Sequence, residues 1–252
     1  GNLRFQKAIG DMDETIYKVI HQRRQEAQDN GDLLSMLIQA EDEADGSSMN
    51  DKQLRDEVAT LMIAGHETTA NSLAWAWMLL SQHPQVQDKL LAELEKVLNG
   101  RSPSIEDIPN LNYATMVIKE AMRLYPSVPL IPRKAAVDTE IGGYLIPAGC
   151  VLIMSQWVMH RHPRYFPEPL TFNPERWRDN LEKTLPKGVY FPFGDGPRIC
   201  VGKSFALMEA VLLLATIAQK FQVELVPDFD IDPQVAVALR PRNGIKVLVT
   251  KR

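Results

Sequence analysis

The sequence predicts a mainly α-helical fold with small β-sheets. Apolar residues recur at helical spacing through most of the first half of the chain. Short β-like runs, broken by glycine and proline, occupy the second half. Among them lies a proline-rich stretch of about 40 residues without periodicity, and its unusual length indicates an ordered functional segment. The chain is long enough to bury one large core or two small ones.

The helices of the first half are predicted from periodicity and end signals. The first is expected over Phe5–Gln28, and a short one follows at DLLSMLIQA. Asn50 is a plausible N-cap for the third helix, because Gln53 stands three residues on, as a capping box requires. No proline interrupts this helix before Pro84, which predicts about 33 residues, or roughly 50 Å.

The remaining elements follow in order. Two further helices are predicted at PQVQDKLLAELEKVLNG and at LNYATMVIKEAMRLY, where Pro126 ends the second. The β-like runs are VPLIPRKAAV, TEIGGYLIPAGCVLIMS and VAVALRPRNGIKVLVT. A last apolar helix, SFALMEAVLLLATIAQKF, follows Cys200.

Composition excludes several classes of protein. The net charge of -4 lacks the basic excess of a nucleic-acid-binding protein. Cys150 and Cys200 form neither a disulfide framework nor a CxxC zinc site. The apolar stretch Leu61–Leu80 carries polar residues in its middle, which would be costly in lipid, so we interpret it as a core helix with a polar stripe. The first residues form an amphipathic, charged helix pattern and not a secretory signal.

A glycine-rich loop, FPFGDGPRICVGKSF, precedes the last helix. Its GKS ending suggests a phosphate-binding loop, but Pro197 stands where that motif needs its first glycine. Cys200 lies where the loop meets the helix, and a helix N-terminus together with Arg198 stabilises a thiolate. The alternative is that Cys200 is a small buried apolar residue.

The spacing F-x-x-G-x-R-x-C-x-G is filled by Phe193, Gly196, Arg198, Cys200 and Gly202. This pattern resembles the haem-binding loop of the cytochrome P-450 family of haem-thiolate monooxygenases. The resemblance implies that Cys200 is the axial ligand of the haem iron, that Arg198 contacts a haem propionate and that Phe193 packs near the sulfur. Gly202 is expected to let the backbone approach the cofactor.

A second motif is AGHETT, which lies in the middle of the long helix. On its own it is also explained by a polar helix stripe. It is similar to the oxygen-activation motif A-G-x-[DE]-T of the same family. The resemblance implies that Thr68 and Glu67 deliver protons during oxygen activation and that Ala64 and Gly65 leave space at the haem.

A third motif joins Glu120-x-x-Arg123 to Arg176 in the sequence PERW. Glu120 and Arg123 share one helix face, and the plain interpretation is a surface ion pair. The resemblance implies instead a buried network that fixes the loop carrying Cys200. Trp177 departs from the phenylalanine that is commoner in the family.

The resemblance also suggests a propionate contact for Arg133 and, nearby, for His160. Apolar positions at the ends of predicted elements are the candidates for a substrate pocket, although plain core residues would look the same. These are Leu61, Val128, Leu130, Ile131 and Val237.

The sequence is therefore identified as the C-terminal portion of a cytochrome P-450, a single haem-binding domain over residues 1–252 that lacks the N-terminal helices of the family fold. The implied function is insertion of one oxygen atom from O2 into a hydrophobic fatty-acid, terpenoid or steroid-like substrate by haem b. The electrons would come from NAD(P)H through a ferredoxin- or flavoprotein-type reductase. The alternatives are a haem-thiolate isomerase or dehydratase and a truncated non-catalytic haem-binding chain. We expect a cytoplasmic location for a bacterial protein, with a membrane anchor left open.

Overall fold

The computed structural model describes residues 2–26 and 29–252. The chain divides into two compact units, Gly1–His66 and Glu67–Arg252. The described residues are mainly helical, and each of their sheets has two strands. The predicted fold class, mainly α with small β-sheets, is thus confirmed. The single-domain expectation stays a prediction.

The first unit contains two helices and the start of a third. They are α1 (Asn2–Glu26), α2 (Leu33–Gln39) and α3 (Asp51–Gln82), and the last of these continues into the second unit. The predicted end of the first helix, residues 27–28, lies outside the described residues. Ile16, Ile20 and Leu54 are buried together in this unit.

The start of α3 is set by a capping box. The Asn50 amide donates to Gln53 Oε1 at 3.0 Å, and the Gln53 amide donates to Asn50 Oδ1 at the same distance. These two bonds satisfy backbone donors that the first turn of a helix leaves unpaired. The predicted start and the long uninterrupted course of this helix are confirmed.

The second unit adds five α-helices and three short 3₁₀ helices to the end of α3. The α-helices are α4 (Pro84–Leu98), α5 (Asn112–Leu124), α6 (Gln156–Met159), α7 (Leu181–Thr184) and α8 (Lys203–Lys220). The 3₁₀ helices are Ile105–Asn110, Pro174–Asn180 and Gly196–Arg198. Its main core draws buried side chains from α3, α4, α5 and α8, among them Trp75, Leu90, Val117 and Leu214.

The four sheets of the second unit are antiparallel pairs. They join β1 (Ile131–Lys134) to β4 (Val151–Met154), β2 (Thr139–Ile141) to β3 (Tyr144–Ile146), β5 (Phe221–Leu225) to β8 (Val247–Lys251) and β6 (Pro233–Val235) to β7 (Leu239–Pro241). The sequence did not predict β5, because the apolar helical pattern of α8 runs on into its first residue.

The proline-rich stretch before Cys200 is ordered by short helices. The 3₁₀ helix Pro174–Asn180 and α7 lie within it, and a third short helix precedes the cysteine. This arrangement agrees with the prediction of an ordered segment.

The helix after the cysteine begins one residue before the predicted stretch SFALMEAVLLLATIAQKF, but Cys200 does not lie at the junction of loop and helix where it was expected. Its first residue is Lys203 and Gly202 is its N-cap, so Cys200 stands three residues before the helix. Within the described parts of the chain, no helix has the length and apolar character needed to cross a membrane.

Candidate functional site

The loop around Cys200 is held by its own backbone. The Cys200 amide donates to the Phe193 carbonyl at 2.9 Å, and the Lys203 amide donates to the Cys200 carbonyl at 3.3 Å. Gly194 and Gly196 have φ values of 73° and 71°, in the left-handed region that favours glycine. The result is a closed turn that leaves the Cys200 side chain exposed.

The surroundings of the Cys200 sulfur suit a flat apolar ligand. A Cβ added to Gly202 would lie 3.8 Å from Cys200 Sγ, and one added to Gly194 would lie 3.5 Å from Ile131 Cδ1. The next residue, Val201, is 90% exposed and Phe205 is 62% exposed. An exposed sulfur beside Gly202, followed in the sequence by the exposed apolar Val201, fits haem, whose iron accepts a cysteine thiolate.

Glu120 of α5 carries a fully buried carboxylate. Glu120 Oε1 accepts hydrogen bonds from Arg123 Nη2 at 2.9 Å, Arg176 Nε at 3.1 Å and the Asn173 amide at 3.1 Å. Glu120 Oε2 accepts from Arg123 Nε at 2.9 Å and Trp177 Nε1 at 2.8 Å. Five donors therefore offset the cost of burying this charge.

Arg123 extends the network to the chain beyond α6. Its guanidinium donates to the carbonyl oxygens of His160 at 2.8 Å, Pro169 at 2.7 Å and Thr171 at 3.2 Å. Its side chain is completely buried. These contacts fasten the segment that follows α6 to α5.

Trp177 connects the network toward the cysteine loop. Its ring lies 4.4 Å from that of Tyr190, centroid to centroid. The Tyr190 hydroxyl donates to the Lys119 carbonyl at 3.0 Å, which ties the start of the loop segment to α5. The sequence indicated Trp177 only as a departure from the family pattern. Its indole donates to Glu120, which is 57 positions away in the sequence, so no local pattern reveals this bond.

His160 is buried in the same region, and its pKa is lowered from 6.5 to about 3. Burial is the main cause, and the positive charges of Arg123 and Arg161 add to it. The neutral ring accepts the Phe191 amide on Nε2 at 3.0 Å. His160 has no exposed surface, and the expectation that it lies near a haem propionate stays a prediction.

The motif on α3 is divided between the two units. Glu67 and Thr68 belong to the second unit, where Glu67 is exposed and Thr68 is half-buried. The Thr68 carbonyl accepts the Ser127 hydroxyl at 2.8 Å. Leu61, Ala64 and Gly65 belong to the first unit; Leu61 is half-buried there, and Ala64 and Gly65 are exposed.

The remaining predicted residues lie on or beside β1 and in the hairpin of β6 and β7. Arg133 is exposed on β1, where its Nη1 donates to the Pro132 carbonyl at 2.9 Å, and Arg198 is exposed in the loop. The apolar candidates differ in exposure: Val128 and Ile131 are half-buried, Leu130 is 39% exposed and Val237 is 92% exposed.

Sequence reasoning missed two polar residues that organise this unit. Glu93 of α4 accepts the amides of Tyr113 at 2.6 Å and Ala114 at 2.9 Å, and so caps the start of α5. Ser127 bridges α3 and the segment after α5. Neither belongs to a recognisable local pattern, because each bonds to residues far away in the sequence.

The fold and site define a helical protein with an exposed cysteine on a glycine-rich loop, anchored by a buried Glu–Arg network. The family model described as cytochrome P450 matches residues 2–249. The chain belongs to the cytochrome P450 family.

Relatives and a solved structure agree with this assignment. The chain is 40% identical over 227 residues to a cyclooctat-9-en-7-ol 5-monooxygenase of Streptomyces melanosporofaciens, a match that covers 90% of this chain and 50% of the relative. It is 33% identical over 252 residues to a pentalenene oxygenase of Streptomyces avermitilis, covering 100% of this chain and 56% of the relative. The crystal structure of the cytochrome P450DA heme domain superposes with a TM-score of 0.92 at 32% identity, covering 100% of this chain and 55% of that one. The chain spans about half the length of these relatives.

Proposed function

We propose that this chain holds haem through Cys200 and takes part in the oxygenation of a hydrophobic organic substrate. The observation that carries the proposal is the exposed Cys200 side chain on a closed, glycine-rich turn. In a family of haem proteins, a sulfur in this position is the natural iron ligand. When bound, haem supplies the redox chemistry that activates O2 for transfer of one oxygen atom to a C–H bond.

The residues of the loop and of β1 would hold the cofactor. Cys200 Sγ is the iron ligand, and Phe193 packs beside it. The guanidinium groups of Arg198 and Arg133 are exposed, so they are accessible to the negatively charged propionates. Gly202 lies beside the sulfur, where an added Cβ would be 3.8 Å from Sγ, and in this proposal it lets the backbone approach the cofactor.

The proposed proton carriers lie on α3. Glu67 is exposed, and in this proposal it relays protons to the Thr68 hydroxyl, which holds a proton at the reacting oxygen. Ala64 and Gly65 are small residues that leave space for O2. In this proposal Glu120, Arg123 and Arg176 act as structural support, as their burial suggests.

The substrate is proposed to be terpenoid-like. Two relatives carry terpenoid-oxidising names, the cyclooctat-9-en-7-ol 5-monooxygenase and the pentalenene oxygenase. The candidate pocket residues are apolar, which suits such a molecule; they are Leu61, Val128, Leu130, Ile131 and Val237. Electrons from NAD(P)H would arrive through a ferredoxin- or flavoprotein-type partner.

The test of the haem ligand is spectroscopic. Protein purified with haem is reduced under CO, and a thiolate ligand is expected to shift the Soret band to the red. Cys200→Ser should abolish that shifted band, whereas Cys150→Ser, at the other exposed cysteine, should leave it unchanged. Absence of the band in the parent protein, or its survival in Cys200→Ser, would contradict the proposal.

The proton role of Thr68 is tested by coupling. Thr68→Ala should divert consumed electrons from product to hydrogen peroxide, and Thr68→Ser should retain most of the coupling because it keeps the hydroxyl. Unchanged coupling in Thr68→Ala would exclude the role. Product formation without O2 or electrons would instead favour the isomerase or dehydratase alternative.

A further inference from the structure

Ser127 stands between α5 and β1 and forms a defined chain of hydroxyl bonds. Its Oγ donates to the Thr68 carbonyl at 2.8 Å and lies 2.8 Å from Ser72 Oγ. A serine hydroxyl has only one proton, and a carbonyl oxygen can only accept. Because the Ser127 proton goes to Thr68, the Ser72 hydroxyl must donate to Ser127.

The backbone of Ser127 makes a second connection. Its carbonyl accepts the Leu239 amide at 2.8 Å, and the Leu239 carbonyl accepts Trp75 Nε1 at 3.1 Å. Trp75 and Ser72 both lie on α3, so the contacts form a closed ring that we call the Ser127 ring. Its members are Thr68, Ser72, Trp75, Ser127 and Leu239.

The Ser127 ring is well shielded from water. Ser72 and Ser127 are each 9% exposed, Leu239 is 1% exposed and Trp75 is fully buried. Hydrogen bonds in such a place are stronger than on the surface, and a missing partner is costly. The ring is therefore a rigid joint between three segments.

Each segment of the joint carries residues of the proposed site. Glu67 and Thr68 are the proposed proton carriers on α3. Val128 directly follows Ser127, and Val237 lies two residues before Leu239; both are candidate substrate contacts. A displacement of either substrate-facing segment would thus reach the turn of α3 that carries Thr68.

We propose that Ser127 is a positioning residue that fixes the Thr68 turn relative to the substrate-facing segments. The inference rests on the proposed function, because it assigns Ser127 a part in setting how protons reach the reacting oxygen. Its hydroxyl donates to the Thr68 carbonyl from outside α3. Seating of a substrate against Val128 and Val237 would in this way settle the position of Thr68.

The geometry also predicts how the variants compare. In Ser127→Ala the Ser72 hydroxyl loses its acceptor, but it can turn to the carbonyl four residues earlier, which is that of Thr68. Ser72 then replaces part of the lost bond. The Ser72→Ala/Ser127→Ala double variant removes both donors and should show the larger effect, whereas Ser127→Thr keeps the hydroxyl.

Hydrogen–deuterium exchange measures the joint without substrate. In the protein purified with haem, the double variant should exchange at least about fivefold faster over residues 67–75, because it loses two buried hydrogen bonds and the loss of one alone has about this effect. Ser127→Thr, which keeps the hydroxyl, should exchange at the rate of the parent protein. The matched control is Ser81→Ala. Ser81 also lies on α3, and its hydroxyl donates to the carbonyl oxygens of Trp77 and Val223. It should leave residues 67–75 unchanged.

A second measurement reports on chemistry. With a surrogate ferredoxin, its reductase and dodecanoic acid as the probe, the double variant should release about fivefold more hydrogen peroxide per electron pair, at a nearly unchanged KM for the probe. Ser127→Thr should again restore the parent value. If the probe is not oxidised, the exchange experiment alone decides.

The outcomes separate this inference from the proposed function. Unchanged exchange over residues 67–75 in the double variant, or failure of Ser127→Thr to restore it, overturns the role of Ser127 while the CO spectrum still supports Cys200. Absence of the red-shifted band in the parent protein overturns the proposed function whatever the exchange shows.

Discussion

Trp177 Nε1 donates a hydrogen bond of 2.8 Å to the fully buried carboxylate of Glu120. The indole is thus a neutral donor within a cluster otherwise built from two guanidinium groups and a backbone amide. Its ring also packs against Tyr190, which opens the segment leading to Cys200. One side chain therefore satisfies the carboxylate and contacts the loop segment.

Trp177→Phe separates these two tasks. Phenylalanine keeps most of the ring but removes the donor, so one lone pair of the Glu120 carboxylate loses its partner. We expect unfolding to be easier by about 1.5–3 kcal/mol, the value of a hydrogen bond to a charged group. Urea unfolding measures it. Trp77→Phe, the same change at a half-buried tryptophan of α3, is the control; an equal loss in both variants would contradict the prediction.

The two arginines of the Glu120 network should differ in importance. Arg123→Lys removes a guanidinium that donates to Glu120 twice and to three carbonyl oxygens. Because a lysine cannot reproduce this fork, a buried charge is left poorly paired, at about 3–5 kcal/mol. Arg176→Lys removes one bond to Glu120 and two to the carbonyl oxygens of Pro167 and Glu168, and should cost about 1.5–3 kcal/mol because these two bonds lie at an exposed position. Urea unfolding of the two variants ranks them, and a larger loss for Arg176→Lys would refute this order.

His160 predicts a dependence of stability on pH. Its pKa is about 3 when folded and 6.5 ordinarily, so between these values the unfolded chain binds a proton that the folded chain does not. Stability supplied by the neutral ring is fully present above pH 6.5 and is lost as the pH falls toward 3, by about 1.4 kcal/mol per pH unit. Urea unfolding between pH 4.5 and about pH 7.5 covers most of this window.

His160→Gln should flatten that slope, because the titrating group is gone, although the variant is expected to be less stable at pH 7. His66→Gln, at an exposed position of α3, is the control and should keep the parent slope. A slope that is the same in the parent and in His160→Gln would show that other groups control the acid sensitivity.

The elements whose cause is local could be predicted from the sequence. Asn50 and Gln53 predict the start of α3, because the two residues of a capping box that bond to each other are only three positions apart. The motif around Cys200 was found for a similar reason, since its glycines and arginine stand at fixed local spacing. Cys200 was placed too close to the start of α8, because Gly202, and not the cysteine, is the N-cap of this helix.

What the sequence could not predict depends on distant partners. The strand β5 forms because it pairs with β8, more than twenty positions away. Its first residue continues the apolar helical pattern of α8, so the sequence predicted helix there. The burial of the His160 ring was not predicted, because it depends on the Phe191 amide and on side chains that are distant in the sequence. Glu120 and Arg123 were identified by resemblance, whereas the contribution of Trp177 required the folded geometry.

Glu93 provides the last prediction. It reaches from α4 to the first amides of α5, and these have no partner within their own helix. Both carboxylate oxygens accept, so Glu93→Gln replaces one acceptor by an NH2 group that faces another donor. We expect a loss of about 1–3 kcal/mol in unfolding free energy, measured by urea. Glu95→Gln, an exposed position on the same helix, should change stability little. Since α5 carries Glu120 and Arg123, Glu93→Gln should also speed hydrogen exchange at the start of α5, and normal exchange there would show that the cap is not needed to hold the helix.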